Sequence, residues 1–465
     1  MKKCFPLAIL LVVFLHSCKK ESFITGREAL LVTSEDTLHF DTVFTSVGSV
    51  THYFKIYNTN NQKLRISNVQ LKGGAASFFR MNVDGYAGTD ITDLEMEPND
   101  SMYVFVTVKI DPSTDNLPFV VQDSIRIAYN GNERWVQLQA WGQNARFFRT
   151  RFITADETWD NQKPYVLLGG LLIAPNATLT IEKGTRIHLH ADAPLIVEGT
   201  LLVKGEKHDS TRVVFEGDRL DEPYKHFPGA WPGIYFMEKS KNNVMEYAVI
   251  KNAYQGIVSD QPSVNTQPKV LLKQCIIDNC YDAGILGFRG SVSASNCLVS
   301  NCGKNIVLAY GGNYEFTHCT SVAFSNLFLT HKDPSLYVSD FVKNGNTILT
   351  SPLNASFTNC IFWGDYGTVE NEVVTGKQGS GTYSVRFDHS LWKVKSTPAN
   401  VTSTNMIANQ YPLFDSVNTS KRYFNFRLRE GSPAINKGAP TALPFDLDGR
   451  TRSAGIPDLG CYERQ

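Results

Sequence analysis

Cysteine recurs at a fixed interval in the middle of the chain. Cys275, Cys297 and Cys319 stand 22 residues apart, and Cys280 and Cys302 repeat the same step. The flanking residues repeat as well. AVIKNAYQGIV (248–258), CIIDNCYDAGIL (275–286) and CLVSNCGKNIVL (297–308) align as a small residue, two apolar residues, a polar one, Asn, a small residue and a second apolar stretch. CTSVAFSNLFL (319–329) keeps the start and the end of this unit, and CIFWGDYG (360–367) keeps the start. Such a period, with short β-rich pieces and no helical phase, predicts a solenoid whose every turn is one repeat. In a parallel β-helix equivalent residues of successive coils stack about 4.8 Å apart. Cys275, Cys297 and Cys319 are then expected in one inward ladder and Cys280 with Cys302 in another. Asn252, Asn279 and Asn301 are expected in a third, at a bend. Cysteine is small and weakly hydrophobic, which suits such a column. Two rivals remain open from spacing alone. Zinc would need four convergent ligands, usually in close pairs. Disulfides would need a dihedral that parallel stacked side chains rarely meet.

The first 110 residues or so after the N-terminal region have a different pattern. TLHFDTVF (37–44), HYFKIYN (52–58), LRISNVQL (64–71), SMYVFVTVKI (101–110), DSIRIAY (123–129) and RWVQLQAW (134–141) are short bursts separated by turn clusters. In VFVTVKI the side chains of Val104, Val106, Val108 and Ile110 share one face at period two. Seven or so strands without helical spacing predict a two-sheet sandwich. The fold class expected is therefore all-β, a β-sandwich followed by a parallel β-helix. The chain has 45 basic and 45 acidic side chains, so it offers no basic surface for nucleic acid.

The N-terminus, MKKCFPLAILLVVFLHSC, has a basic start and an apolar run too short to span a bilayer comfortably. Residues 1–17 read as a signal peptide. Leu15-His16-Ser17-Cys18 resembles the lipobox of bacterial lipoproteins, in which the signal is cut before a lipid-bearing cysteine. That resemblance implies lipidation at Cys18, attachment to the membrane through that lipid and an outer-membrane location, on the periplasmic or cell-surface face. Residues 18–29 would be the tether. Residues 30–145 resemble the immunoglobulin-like modules of cell-surface proteins, in TLHFDTVFTSVGSV, FKIYNTN and EPNDS. Residues 146–164 are expected as a linker. From 165 to 430 the chain resembles the right-handed parallel β-helix repeat family, notably in APNATLTIEKGTRI and AWPGIYFMEKSKNNVMEYAVIKNAYQGI. The last segment, 431–465, holds GSPAINKGAPTALPFDLDGRTRSAGIPDLGCYE, and similar endings occur in bacterial surface β-helix proteins; the chain as a whole resembles a surface lipoprotein of the Bacteroidetes.

Chemistry is harder to find. A hydrolase on this scaffold needs two or three neighbouring carboxylates; a lyase needs a calcium-binding acidic cluster with a basic residue. In the aligned coils Asp278 has Lys251 and Ser300 as neighbours, and Asp282 has Gln255 and Lys304. One carboxylate per column reads as a solvated face. Asp388-His389 is an acid/base pair by composition, but adjacent strand residues point to opposite faces. Asp446 and Asp448 in DLDGR lack the further oxygens of a calcium loop and predict a tight turn with Gly449 at positive φ. No catalytic residue, metal ligand or cofactor is assigned. Trp231, Trp363, Tyr366 and Trp392 are the candidate glycan-contacting residues, since aromatic faces beside polar groups bind sugars. The function expected is a non-catalytic envelope lipoprotein presenting its β-helix to a polysaccharide or an envelope protein. The alternative is a polysaccharide lyase or glycoside hydrolase built from loops 258–268 or 364–382, the latter carrying Asp365, Glu370 and Glu372.

Overall fold

The structure, a computed structural model, describes residues 22–44, 51–109 and 119–465. Cys18 and the segment 1–17 lie outside the described residues. The chain divides into two units, residues 1–144 and 145–465. Among the described residues both are built from strands, with 3-10 turns at Gly74–Ala76 and Tyr224–His226.

The first unit is a β-sandwich. One sheet joins Thr37–Phe44, Asn132–Gln143, Phe119–Tyr129 and Lys63–Leu71, with Phe23–Ile24 and Asp90–Met96 both paired to the last. The other runs through Leu31–Thr33, His52–Asn58, Ser101–Val108, Phe79–Val83 and Tyr86–Ala87. Period-two patterning places Val104, Val106 and Val108 inside while Tyr103 and Phe105 face out. Ile110 lies outside the described residues. The buried faces meet over Phe40, Phe54, Ile56, Ile125 and Leu138.

The second unit is a parallel β-helix with three faces. The first face runs from Arg146–Phe148 to Ile407–Ala408, the second from Arg151–Ile153 to Val373–Gly376, and the third from Glu157–Trp159 to Thr402–Thr404. Each strand pairs in parallel with its equivalent one coil on. Residues 146–164, expected as a linker, are the first coil, since their three strands pair with Tyr165–Leu167, Leu171–Ile173 and Thr178–Glu182. This coil lacks the Asn-small signature of later repeats and is closed by rings instead. Trp159 stacks on Tyr165 at 4.2 Å, and Phe148 lies 5.8 Å from Trp159. The lumen is filled by side chains such as Leu179, Ile181, Leu201, Ile250, Ile277 and Ile306. Each fully buried Ile or Leu contributes about 1.5–3 kcal/mol.

The register of Ile276 on Leu298, Thr320 and Ile361 aligns Cys275, Cys297 and Cys319 in one column and continues it to Cys360. All four are buried and free, as are Cys280, Cys302 and Cys461. Their thiols lean on carbonyls: Cys275 Sγ lies 3.2 Å from the Met245 oxygen, and Cys297 Sγ 3.3 Å from that of Ser295. Cys280 N–H donates to Cys302 Sγ at 3.4 Å. Burial pushes the Cys297, Cys302 and Cys360 thiols well up, so they stay protonated. With all seven described cysteines buried out of reach of solvent, the native protein is expected to be inert to thiol reagents at them, and all seven should titrate in denaturant without reductant. Two missing thiols would reveal a disulfide and break the column.

Asparagines turn the corners. Asn252, Asn279 and Asn301 have φ of +61°, +56° and +51°, a left-handed region that Asn tolerates better than most side chains. Asn279 Nδ2 donates to Asn252 Oδ1 at 2.7 Å, so the stacked amides bond along the axis. A second corner, just before the cysteines, repeats the device with Asn296, His318 and Asn359 at +52°, +53° and +57°.

The coils end near residue 408, and the rest of the chain folds back along the first face. The hairpin Phe414–Asn418 with Tyr423–Leu428, followed by residues 431–465, covers an outward apolar stripe of Leu298, Val322, Ile361 and Leu391. In DLDGR, Asp446 Oδ1 accepts the N–H groups of Asp448 and Arg450 at 2.9 and 2.7 Å, and Oδ2 accepts that of Glu463 at 2.9 Å. Gly449 takes φ +74°. Asp448 holds Arg427 through two bonds of 2.7 and 2.8 Å. The carboxylates of this turn are thus used to fasten backbone and hairpin.

Candidate functional site

The aromatic residues of the flank are not the tryptophans. Trp231 begins a strand, faces the lumen and donates its Nε1–H to the Lys251 carbonyl at 3.0 Å. Trp392 is also inside, edge-on to Phe387 at 5.1 Å. Trp363 points outward, yet the C-terminal segment covers it, with Tyr411 packed edge-on at 5.7 Å. All three are buried and present no face to a sugar. Of the four expected contacts only Tyr366 is exposed, at 68%. The misreading has a local cause: Pro228, Gly229, Pro232 and Gly233 suggest a loop around Trp231, whereas residues 231–236 are strand.

Two other rings form an open platform. Tyr254 and Tyr281 are 45% and 54% exposed and stack with centroids 5.6 Å apart and planes 25° from parallel. They occupy equivalent positions in successive coils, two residues after Asn252 and Asn279. The corner asparagine turns the chain, the next residue (Ala253, Cys280) points inward, and the tyrosine therefore points out. In the third coil this position is Gly303, where a Cβ would sit 2.2 Å from the Tyr281 carbonyl oxygen. Glycine here leaves the upper face of Tyr281 uncovered. The tyrosines were visible in the aligned repeats; only exposure, which spacing does not report, singles them out.

A polar ladder runs beside the rings. Asp282 accepts from Gln255 Nε2 at 2.8 Å and from Lys304 Nζ at 2.9 Å. Burial works against the Asp282 carboxylate, but these two hydrogen bonds outweigh it and hold it below the usual range. Rings and ladder line a cleft of about 610 Å³ whose far wall is the loop around Phe328 to Asp333. Asn326 Oδ1 accepts the N–H groups of Phe328 and Leu329, at 2.9 and 3.2 Å, and so shapes that loop.

Phe328 also lines an adjoining cavity of about 430 Å³. Its floor belongs to an outward column of the first face, where Lys251 pairs in register with Asp278 and Asp278 with Ser300. Lys251 Nζ lies 2.7 Å from Glu216, and Ser300 Oγ–H donates to Asp278 at 2.6 Å. Burial raises the Asp278 carboxyl despite that bond. At the rim, Glu222 is lowered by a hydrogen bond from Lys225. The expectation of a solvated Asp278 is corrected on this point: the column is charged, but Asp278 lies beneath overhanging loops.

The remaining candidates do not converge. Glu372 is fully buried, its Oε1 2.8 Å from His331 Nε2 and its Oε2 accepting Ser335 N–H at 3.1 Å. Asp365 faces Lys393 and Glu370 faces Lys395, so the three carboxylates of loop 364–382 have separate partners. Asp388 and His389 do touch, at 2.9 Å, because His389 sits at φ +43° rather than in a strand. Thr404 also donates to Asp388, at 2.6 Å, and ties the pair to the next coil. Among the described residues no three His, Cys, Asp or Glu side chains are placed to hold a metal ion.

No curated protein matches the chain. Among solved structures it is similar to the catalytic unit of a GH87 α-1,3-glucanase from Streptomyces thermodiastaticus, at 10% identity and a TM-score of 0.25, over 80% of this chain and 91% of that one. It is similar to the ASH / PapD-like domain of human CEP192, at 11% identity and a TM-score of 0.18, over 28% of this chain and 93% of that one. It is also similar to a family 123 glycoside hydrolase from Clostridium perfringens, at 10% identity and a TM-score of 0.18, over 25% of this chain and only 26% of that one. Residues 170–321, which include the tyrosine platform, match the family model of the right handed beta helix region.

Proposed function

We propose that this protein is an envelope lipoprotein that binds an extended glycan along its solenoid without cleaving it. One observation carries the reading: the exposed, stacked Tyr254 and Tyr281 beside the Gln255–Asp282–Lys304 ladder, in an open cleft. Ring faces bind the apolar faces of sugars, and a fixed carboxylate and ammonium pair with hydroxyls. Tyrosine loses little conformational freedom on binding, and successive coils offer a ligand repeated contacts along one line. Anchoring through Cys18 would hold the flank at the membrane. In that case Cys18→Ser protein is expected to remain unprocessed or to leave the membrane fraction.

The second reading, a glycoside hydrolase, has one observation in its favour: Asp278 and Glu222 border one cavity and their acidities are pushed in opposite directions. A single experiment separates the two. The full-length protein in detergent is screened against polysaccharides for binding and for release of reducing or unsaturated ends. Binding without product is expected. Tyr281→Ala should weaken it about 10-fold or more, the loss of roughly 1.4 kcal/mol or more at a central aromatic contact. Product release abolished by Asp278→Asn or Glu222→Gln would establish the hydrolase instead.

A further inference from the structure

The cavity beside the platform contains a cation that no described carboxylate touches: Asp278 and Glu222 act on it only through longer-range charge. Arg422 ends the turn of the hairpin Phe414–Asn418/Tyr423–Leu428 and hangs over the cavity floor. Its guanidinium lies 4.7 Å from the centre of the Phe328 ring, which fixes it in place. Its Nε is buried and has no hydrogen-bond partner. Among the described residues no carboxylate comes within ion-pair distance of it. Of the other basic groups lining it, Lys251 is engaged by Glu216 and Lys225 by Glu222, each at 2.7 Å, His226 lies 3.4 Å from Glu222, and Lys421 is exposed at the rim. Asp278 accepts a hydrogen bond from Ser300 at 2.6 Å and none from Arg422.

This arrangement is costly for the protein alone. A buried donor left unmade costs about 1–3 kcal/mol. Arg422 also has φ +51°, a backbone conformation in which Gly or Asn would sit with less strain. A guanidinium presents a planar fork of donors that matches an oxyanion, and removal from water strengthens the pairing. Burial lowers the pKa of Arg422, a measure of the hydration it has lost. The missing partner is thus an acceptor with negative charge.

We infer that Arg422 receives an oxyanion carried by the ligand, so that the glycan lying on Tyr254 and Tyr281 is an acidic one. The inference rests on the glycan reading above, and Phe328 supplies the continuity, since it lines both the cleft of the tyrosines and the cavity of Arg422. The same chemistry has another source, a free inorganic anion.

Calorimetry on the full-length protein distinguishes these. Three probes are compared: a uronate-bearing oligosaccharide, its carboxyl-reduced neutral counterpart, and inorganic sulfate. The acidic sugar is expected to bind about 10-fold tighter than the neutral one, with the difference shrinking as salt rises. Arg422→Gln should bring the two sugars to equal affinity while the neutral one binds as before. Arg422→Lys, which keeps the charge but loses the fork, should restore only part of the preference. Tyr281→Ala should weaken both sugars. The two Arg422 variants lose no protein hydrogen bond, and relief of the unmade donor offsets loss of the Phe328 contact, so both should melt within a few degrees of wild type. Equal affinity of the two sugars for wild type overturns the inference and leaves the glycan reading standing. Sulfate bound through Arg422 with neither sugar bound upholds the oxyanion site, overturns the acidic glycan and removes the glycan reading with it. If no probe binds, both fall.

Discussion

Glu463→Ala is expected to destabilise the second unit by roughly 3–5 kcal/mol, the cost of leaving a buried charge without its partner. Glu463 and Arg452 are 6% and 5% exposed. Arg452 Nη1 meets Glu463 at 3.0 Å, and its other donors reach Asn296 Oδ1 at 2.7 and 3.0 Å and the Gly460 carbonyl at 2.9 Å. Glu463 in turn accepts the N–H groups of Ser453 and Asp458, both at 3.0 Å. Removing the carboxylate therefore strands a guanidinium and two backbone donors together. Arg452→Ala should cost about as much, and it also frees Asn296, a corner residue of the coils. The double change of Arg452→Met with Glu463→Leu should cost much less than the two alanine losses summed, since no charge is then left buried. Urea unfolding followed on the second unit measures all of these. A loss below about 1 kcal/mol for Glu463→Ala would show that the pair is not what fastens the segment.

This clasp also marks the limit of what the sequence conveys. The turn of DLDGR is encoded locally, by Asp446 as acceptor and Gly449 at positive φ. The clasp's partners could not be read. Arg452 bonds to a residue 156 positions earlier, and Cys461 N–H donates to Thr320 Oγ1 across 141 positions. Local patterning does not encode which coil a returning segment will cover. The cysteine and asparagine columns lie at the other extreme. Parallel stacking converts a fixed sequence interval into direct spatial neighbours, so Cys275, Cys297 and Cys319 fall into register from arithmetic.

The candidate site lies between these extremes. Gln255, Asp282 and Lys304 were already neighbours in the alignment of repeats, and the structure joins them by hydrogen bonds. Tyr254 and Tyr281 were in that alignment too, but their importance depends on Gly303 leaving them open. Arg422 comes from a hairpin outside the repeats, beyond the reach of any periodicity. The tryptophans failed as candidates for a related reason. In a solenoid a large ring is as readily a lumen filler or a seal beneath a returning segment as a surface platform, and composition does not distinguish the three.

Acid is expected to loosen the same C-terminal segment through His318. This side chain is buried at the corner before Cys319, where Nε2 accepts hydrogen bonds from Asn359 Nδ2 at 2.9 Å and Thr441 Oγ1 at 3.2 Å. Both bonds require a neutral ring. Burial, and then the charge of Arg452, push its pKa down to about 3 from an ordinary 6.5. Above pH 6.5 the ring is neutral in folded and unfolded chains alike, and the full stability is present. Between pH 6.5 and about 3 the unfolded chain takes up a proton that the folded chain refuses, so stability falls as pH falls. The difference corresponds to a loss on the order of 5 kcal/mol across that window. His318→Asn isolates the effect, because the residues above and below in the column are Asn296 and Asn359, with nearly the same φ. The variant should unfold at a similar urea midpoint to wild type near neutrality and hold a clearly higher midpoint near pH 4. Parallel loss of stability in both proteins would place the acid-sensitive group elsewhere. A variant already much weaker at pH 7 would show instead that the ring's acceptor bonds to Asn359 and Thr441, rather than its refusal of a proton, are what the corner depends on.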